Sequence, residues 1–172
     1  MKELYLIDGY NLIHASKELR ELLDESLELA RVRLLDLLEE YAFFEKKKII
    51  LVYDGHKVKN NRGDHEIYEN IEIYYTKENE TADSKIEKLT SELIYRYDIT
   101  AVSSDFLEQT TIFSLGALRK SSHEFYNEMV DSLELAKKIE KRRNIKKEMD
   151  MNSSEFKDML KIWVKKNKKN KK

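Results

Sequence analysis

Cysteine is absent from the 172 residues, which excludes disulfide bonds and thiolate metal sites. Proline is also absent, only four glycines occur, and no stretch rich in glycine, proline or serine divides the chain as a linker would. We therefore expect one domain with a tail, long enough to bury a core. No apolar run approaches the ~20 residues of a membrane-spanning helix, and the first ten residues lack the layout of a signal peptide. These absences predict a cytoplasmic protein.

Charged residues, by contrast, are abundant and unevenly distributed. Residues 1–135 contain 17 Lys and Arg against 28 Asp and Glu, a net charge of −11. Residues 136–172 contain 15 against 5, a net charge of +10, and end in a lysine-rich tail. An acidic body with a basic tail suggests either a polyanionic partner such as RNA or an acidic face that binds a metal. The alternative, that the lysines only keep the chain in solution, stays open.

Short runs rich in Ile, Val and Tyr alternate with stretches of helical periodicity. The runs predict strands at residues 4–7, 49–53, 71–75 and 99–102. Strands that alternate with helices predict an α/β fold with a mostly parallel sheet covered on both faces.

Three longer helices are predicted from apolar spacing, beginning near Leu27, Ile86 and Phe125, the second extending to Tyr97. Ser121 and Glu124 form the pattern of a capping box before the third helix. We place the domain at residues 1–150. An amphipathic helix and the lysine-rich tail follow at 151–172.

Carboxylates follow each of the four predicted strands. They are Asp8 after the first, Asp54 after the second, Glu80 and Asp83 after the third, and Asp105 and Glu108 after the fourth. Ligands of an open parallel sheet bind beyond the carboxyl ends of its strands, so these acids are expected along one rim. Anions gathered there repel one another unless a cation or a partner is present. Carboxylate oxygens without His or Cys suit Mg²⁺ or Mn²⁺.

Each acid also has a local explanation. The dipole of a helix favours Asp83 in its first turn, Asp105 with Glu108 fits a capping pair, and Asp8 and Asp54 precede glycine as turn formers do. An Asp-Gly pair between apolar runs is typical of a hairpin. A loop entering a helix follows Asp8, however, and not a second strand, which favours a ligand at a strand end.

Five motifs in order carry a family resemblance: "LIDGYNLI", "ILVYDGH", "ETADSKIEKL", "SSDFLEQ" and "LGALRKSSHEF". From about residue 3 to about residue 143 the chain resembles the YacP-like branch of the NYN domains, which are PIN-like endoribonucleases. The resemblance implies a three-layer α/β/α fold and metal-dependent cleavage of RNA. It also implies that Asp8, Asp83 and Asp105 form the metal-binding catalytic centre, with Asn11 helping to hold the first. It further implies messenger RNA as the substrate, in a decay pathway, and the translating ribosome as a partner.

Around this centre, Asp54, Glu80 and Glu108 are candidates for supporting or second-metal positions. The polar stretch 54–70 predicts a functional loop. Because the acids repel RNA, nearby cations must hold the substrate, and the candidates for that role are Lys57, Lys59, Arg62, Arg119 and Lys120. Some tyrosines are candidates for stacking on bases, namely Tyr10, Tyr68, Tyr74 and Tyr75, although alternation places Tyr75 in the core.

Other functions fit the sequence less well. The four histidines show no metal-ligand spacing, and an acid–base ribonuclease would need two that converge. A dehalogenase-type phosphatase needs a second aspartate where Tyr10 stands, and a receiver domain needs a further acidic pair near the start. A nucleotide-binding loop needs more than one glycine. The main alternative is a non-catalytic module that binds RNA or the ribosome.

Overall fold

The structure, a computed structural model, describes residues 2–55, 65–77, 79–104 and 111–169. The elements follow in the order β1 (Lys2–Asp8), α1 (Gly9–Ala15), α2 (Lys17–Glu25), α3 (Leu27–Glu45), β2 (Lys48–Tyr53), β3 (His65–Ile67), β4 (Ile71–Tyr75), α4 (Ala82–Leu93), β5 (Tyr97–Val102), α5 (residues 111–114), β6 (Leu118–Lys120) and α6 (Ser122–Lys169). This alternation confirms the α/β prediction.

The strands form one six-stranded sheet in the order β3-β4-β2-β1-β5-β6. All neighbouring pairs are parallel except β3 with β4, which is antiparallel. Residues 4–7 of β1 and 49–53 of β2 are all apolar or aromatic and buried because both faces of a central parallel strand are covered. The first strand of the chain therefore lies inside the sheet, and its carboxyl end lies between those of β2 and β5.

Two buried clusters cover the two faces of the sheet, as expected for three layers. On one face Tyr5 of β1 packs with Phe125 of α6. On the other, Leu6 shares a cluster with Ile86 of α4 and Ile112 of α5. Successive residues of β1 thus point to opposite faces.

One row of residues crosses four strands. Asp8 is in register with Val52, Val52 with Tyr74, and Tyr74 with His65. Alternation along β1 places Asp8 on the face of Leu6, the face that α4 covers. The acidic end of β1 therefore shares a face and a row with the outer strands β4 and β3.

The four predicted strands are confirmed and extend by one or two residues at four of their eight ends. Tyr97 was wrongly assigned to a helix: α4 ends at Leu93, and Tyr97 begins β5. Its spacing from Leu93 fits a helical turn, but its backbone pairs with β1 instead. The three-residue strands β3 and β6 are too short to produce a periodic signal. Of the predicted loop 54–70, residues 56–64 lie outside the described residues, and 65–67 form β3.

The predicted capping box is confirmed. The Glu124 carboxylate accepts from the Ser121 backbone N–H at 2.9 Å, and the Glu124 N–H donates to the Ser121 hydroxyl at 3.2 Å. This reciprocal pair lowers the pKa of Glu124, mainly because the Ser121 side chain and backbone stabilise its charged form.

The chain divides into two compact units, Met1–Leu133 and Glu134–Lys172. In the second, the side chains of residues 134–147 are mostly exposed, and Lys138 pairs with Glu134 at 3.6 Å. The boundary that we placed near residue 150 stays a prediction. Within the described part of the chain, no helix combines the length and the apolar character that crossing a membrane requires.

Candidate active site

Asp8 joins the end of β1 to the start of α1. It is the N-cap of α1, and its Oδ1 accepts from the Asn11 backbone N–H at 3.0 Å. The Asn11 side chain donates from Nδ2 to the other oxygen, Oδ2, at 2.9 Å. Asp8 as a whole residue is only 7% exposed. A helix follows Asp8, so the hairpin alternative is excluded, and the expected contact with Asn11 is present.

Asn11 also links two neighbouring strand ends. Its Nδ2 lies 3.1 Å from the Oγ of Ser103, the first residue after β5. Ser103 is 1% exposed, and its backbone N–H donates to the carbonyl of Lys120 at the end of β6. Sequence reasoning missed Ser103, although its place directly after a predicted strand was a usable signal. The side chain of Asn11 is therefore held from two sides and keeps Asp8 in one orientation.

Position 9 must be glycine because the Tyr53 ring lies too close to its backbone for a side chain to fit. A Cβ atom there would lie 2.3 Å from Cε1 of Tyr53, far inside van der Waals contact. The Tyr53 ring is fully buried and stacks on Tyr75, with ring centroids 5.7 Å apart. The Asp-Gly pair is thus explained by packing beneath the strand ends and not by a turn.

Asp54 follows β2 and is half-buried. The next residue, Gly55, donates its backbone N–H to the Thr76 hydroxyl at 2.9 Å. The backbone N–H of Thr76 donates to the Tyr53 carbonyl, also at 2.9 Å. These two bonds join the ends of β2 and β4. The backbone that carries Asp54 is consequently held at the rim.

Glu80 and Asp83 stand at the start of α4. Thr81 is the N-cap and accepts from the Ser84 backbone N–H at 3.2 Å. Asp83 lies in the first helical turn and is exposed, and Glu80 is half-buried. The helix dipole favours a carboxylate at this position whether or not it binds a metal.

A group of three tyrosines and Arg31 lies beneath the rim. The Arg31 guanidinium is 5.1 Å from the Tyr53 ring centroid and 4.8 Å from that of Tyr75, and it donates to the Tyr75 hydroxyl. Tyr10 packs edge-on against Tyr53 at 5.0 Å. Burial, with smaller effects of the Asp54 and Asp8 charges, raises the pKa of Tyr10 to about 12 despite the opposing effect of Arg31. The phenol is therefore neutral at physiological pH. Tyr75 belongs to the core, as its alternation predicted.

Several predicted site residues lie outside the described residues, namely Asp105, Glu108, Lys57, Lys59 and Arg62. Among the residues that are described, no three His, Asp or Glu side chains are close enough to hold one ion. Arg119 is exposed on β6. Lys120 forms an ion pair with Glu128 of α6, and its amine lies 5.6 Å from the Tyr5 ring centroid. Lys120 thus has a role within the protein besides any contact with RNA.

Comparison with known proteins identifies the family. The family model for the YacP-like NYN domain matches residues 5–169, well past residue 143, to which the resemblance of the sequence motifs was expected to extend. The uncharacterized protein YacP of Bacillus subtilis is 40% identical over 141 residues, 81% of each chain. A crystal structure of Rae1 (YacP) from Bacillus subtilis superimposes with a TM-score of 0.70 at 33% identity, covering 96% of this chain and 94% of that one. A second crystal structure, of a mutant of the same Bacillus subtilis protein, gives a TM-score of 0.67 at 38% identity over 83% and 82%. The chain therefore belongs to the YacP-like NYN domain family, whose domain is of the PIN-like nuclease type.

Proposed function

We propose that the protein is a cytoplasmic, metal-dependent endoribonuclease that hydrolyses phosphodiester bonds of messenger RNA, in a decay pathway associated with the ribosome. The observation that supports this most directly is Asp8. It is a nearly buried carboxylate, oriented by Asn11 and Ser103, at the end of an inner parallel strand. Such a strand end is where ligands bind in open parallel sheets.

The donor set fits a hard divalent cation. Asp8, Asp54 and Asp83 supply carboxylate oxygens at or beside strand ends, and the described part of the rim offers no thiolate and no histidine with ligand spacing. Mg²⁺ or Mn²⁺ prefers such ligands and retains several waters. Asp8, Asp83 and Asp105 would hold the ion, with Asp54, Glu80 and Glu108 in supporting positions. When bound, such an ion supplies charge stabilisation at the phosphate and a more acidic water.

The protein's own groups would prepare the site for hydrolysis. Asn11 donates to both oxygens of Asp8 and so holds the carboxylate in one orientation at the end of β1. Below the rim, the neutral Tyr10 phenol packs edge-on against the buried Tyr53 ring, which holds the start of α1, and with it the backbone beside Asp8, in place. Attack of a water opposite the 3′-oxygen would leave a 5′-phosphate and a 3′-hydroxyl.

Calorimetric titration with Mn²⁺ and Mg²⁺ tests the metal site. The wild type should bind, and the double variant Asp8→Asn, Asp83→Asn should lose binding, because two oxygen anions are replaced by neutral amides. Asp36→Asn, an exposed carboxylate on α3, is the matched control and should bind as the wild type does. If the wild type binds neither ion, even with a short RNA present, the acids are structural caps.

A non-catalytic module that binds RNA or the ribosome is the second candidate. It is favoured by the placement of Asp83, which the dipole of α4 already explains, and by the separation of the acids within the described residues. The titration above distinguishes the two functions, because this module needs no metal at the rim.

Ser103 should act as a positioning residue for Asp8. Replacing Ser103 with Ala removes the 3.1 Å contact to Asn11 and should weaken Mn²⁺ binding about 10-fold, as loss of outer contacts to metal ligands does. The measurement is the same calorimetric titration. Ser132→Ala, which removes a 2.6 Å hydrogen bond to Glu45 away from the rim, is the control. Equal effects of the two variants would show that only general stability has changed.

A further inference from the structure

An aromatic stack stands at the β3 edge of the sheet. The His65 ring lies parallel to that of Tyr74, with centroids 4.1 Å apart and planes inclined by 16°. The Lys85 amine of α4 lies 4.9 Å from the Tyr74 centroid. Glu72 holds the edges of both rings, at 3.3 Å from the Tyr74 hydroxyl and 3.4 Å from Nε2 of His65. We call His65, Tyr74 and Lys85 the edge stack.

The edge stack lies beside the acidic rim. Tyr74 and His65 belong to the row of residues that ends at Asp8, so their backbones are two and three strand spacings from it, roughly 10 and 14 Å. Lys85 follows Asp83 by two residues on α4. The stack therefore shares one face of the sheet with Asp8 and one end of α4 with Asp83.

The edge stack has the chemistry of a nucleic-acid contact. Strand β3 is exposed at all three residues, so His65 does not serve to fill a core. Its side chain is 35% exposed while its ring is supported by Tyr74. Lys85 is half-buried, and its amine lies over the Tyr74 ring. A supported ring next to a cation matches the base-stacking and phosphate contacts of proteins that bind single strands.

We propose that the edge stack is a substrate subsite: one base of single-stranded RNA stacks on the outer face of His65, and Lys85 contacts a neighbouring phosphate. The RNA then runs from the acidic rim along the α4 side of the sheet to the β3 edge. This inference rests on the proposed function in taking RNA as the substrate. It requires an unpaired strand, because bases within a duplex are not free to stack on a side chain.

Binding of a short, fluorescein-labelled, single-stranded RNA tests the subsite by anisotropy over a series of KCl concentrations. His65→Ala should weaken binding by about 5- to 100-fold, the usual effect of removing a stacking side chain. His65→Phe should keep near-wild-type affinity because it keeps the stacking face. Lys85→Gln should reduce the salt slope by about 0.7, the value for one phosphate contact on a single strand. Lys17→Gln, an exposed lysine on α2, should leave the slope unchanged.

Cleavage of the same RNA, measured with Mn²⁺ on the same proteins, separates the two hypotheses. If the wild type cleaves but the His65 and Lys85 variants bind as it does, the subsite is wrong and the nuclease stands. If the wild type binds without cleaving, and also fails to cleave messenger RNA on translating ribosomes, the nuclease assignment is wrong, and the affinities alone decide on the subsite. A failure of His65→Phe to restore binding would also overturn the stacking role. Absence of any RNA binding would overturn both.

Discussion

Replacing Asp8 with Asn should reduce the rate of RNA cleavage by at least about 10²- to 10³-fold while leaving RNA binding nearly unchanged. The expected size is that of removing one preorganised electrostatic group from an active site. The carboxylate is almost buried and lies at the end of an inner strand, so no exposed neighbour can easily replace it. The measurement is a single-turnover cleavage rate with Mn²⁺, together with RNA affinity.

Asn is chosen as the replacement for Asp8 because it preserves the fold. Asn caps a helix about as well as Asp does, so the hydrogen bond from the Asn11 N–H to position 8 is retained. In the variant, the NH₂ group of Asn at position 8 can face the Asn11 Nδ2, which now donates to the Asp8 carboxylate. Two donors then face each other, and the loss of this hydrogen bond lowers the free energy of unfolding by about 1 kcal/mol. Ala would instead remove the cap and confuse stability with chemistry.

Two results would count against the assignment of Asp8. Unchanged cleavage would mean that the carboxylate only caps α1. Equal loss of cleavage and binding would mean that Asp8 holds the RNA-binding surface and takes no part in the reaction. Asp36→Asn again controls for the loss of one negative charge elsewhere.

Gly9→Ala should lower the free energy of unfolding by about 3 kcal/mol, at the upper end of the usual cost of overpacking a core. An added Cβ would meet the Tyr53 ring at 2.3 Å, and this ring is confined by Tyr10 and Tyr75. Ala is favoured over Gly in a helix by about 1 kcal/mol, which offsets only part of that cost. The melting temperature should fall by about 6–12 °C for a chain of this size.

A double-mutant cycle identifies the cause. In a Tyr53→Leu background the ring is gone, so the additional effect of Gly9→Ala should shrink by at least about 1 kcal/mol. Denaturant unfolding of the four proteins measures this coupling. The same loss in both backgrounds would show that backbone geometry at position 9, and not contact with Tyr53, excludes a side chain.

Local pattern accounted for much of this fold. The apolar runs located β1, β2, β4 and β5 because each has a neighbouring strand on both sides and buries at least half of its residues. The capping box located the start of α6 because it depends only on residues three apart. The local pattern misplaced Tyr97 because helical spacing and strand pairing competed there, and pairing with β1 prevailed.

The candidate site was predictable in part for the same reason. Asp8, Asp54 and Asp83 could be named as candidates because each stands at or directly after a strand end or at the start of a helix, and their roles stay predictions. Ser103 was missed because its significance depends on Asn11, 92 residues away in the chain. Tyr74 was named as a candidate for stacking, but its pairing with His65 was out of reach, since the two meet only through the antiparallel register of β3 and β4.

The sequence by itself determined the alternation of strands and helices, the order of the acids along the chain and the family resemblance. Each of these depends only on short stretches of neighbouring residues. Only the tertiary structure decided that β1 lies inside the sheet, that Gly9 must lack a side chain, and that Asp8 shares a row with Tyr74 and His65. The physical reason is that pairing register and ring packing depend on distant segments. Their mutual distances are set by the packed core and not by the spacing of residues along the chain.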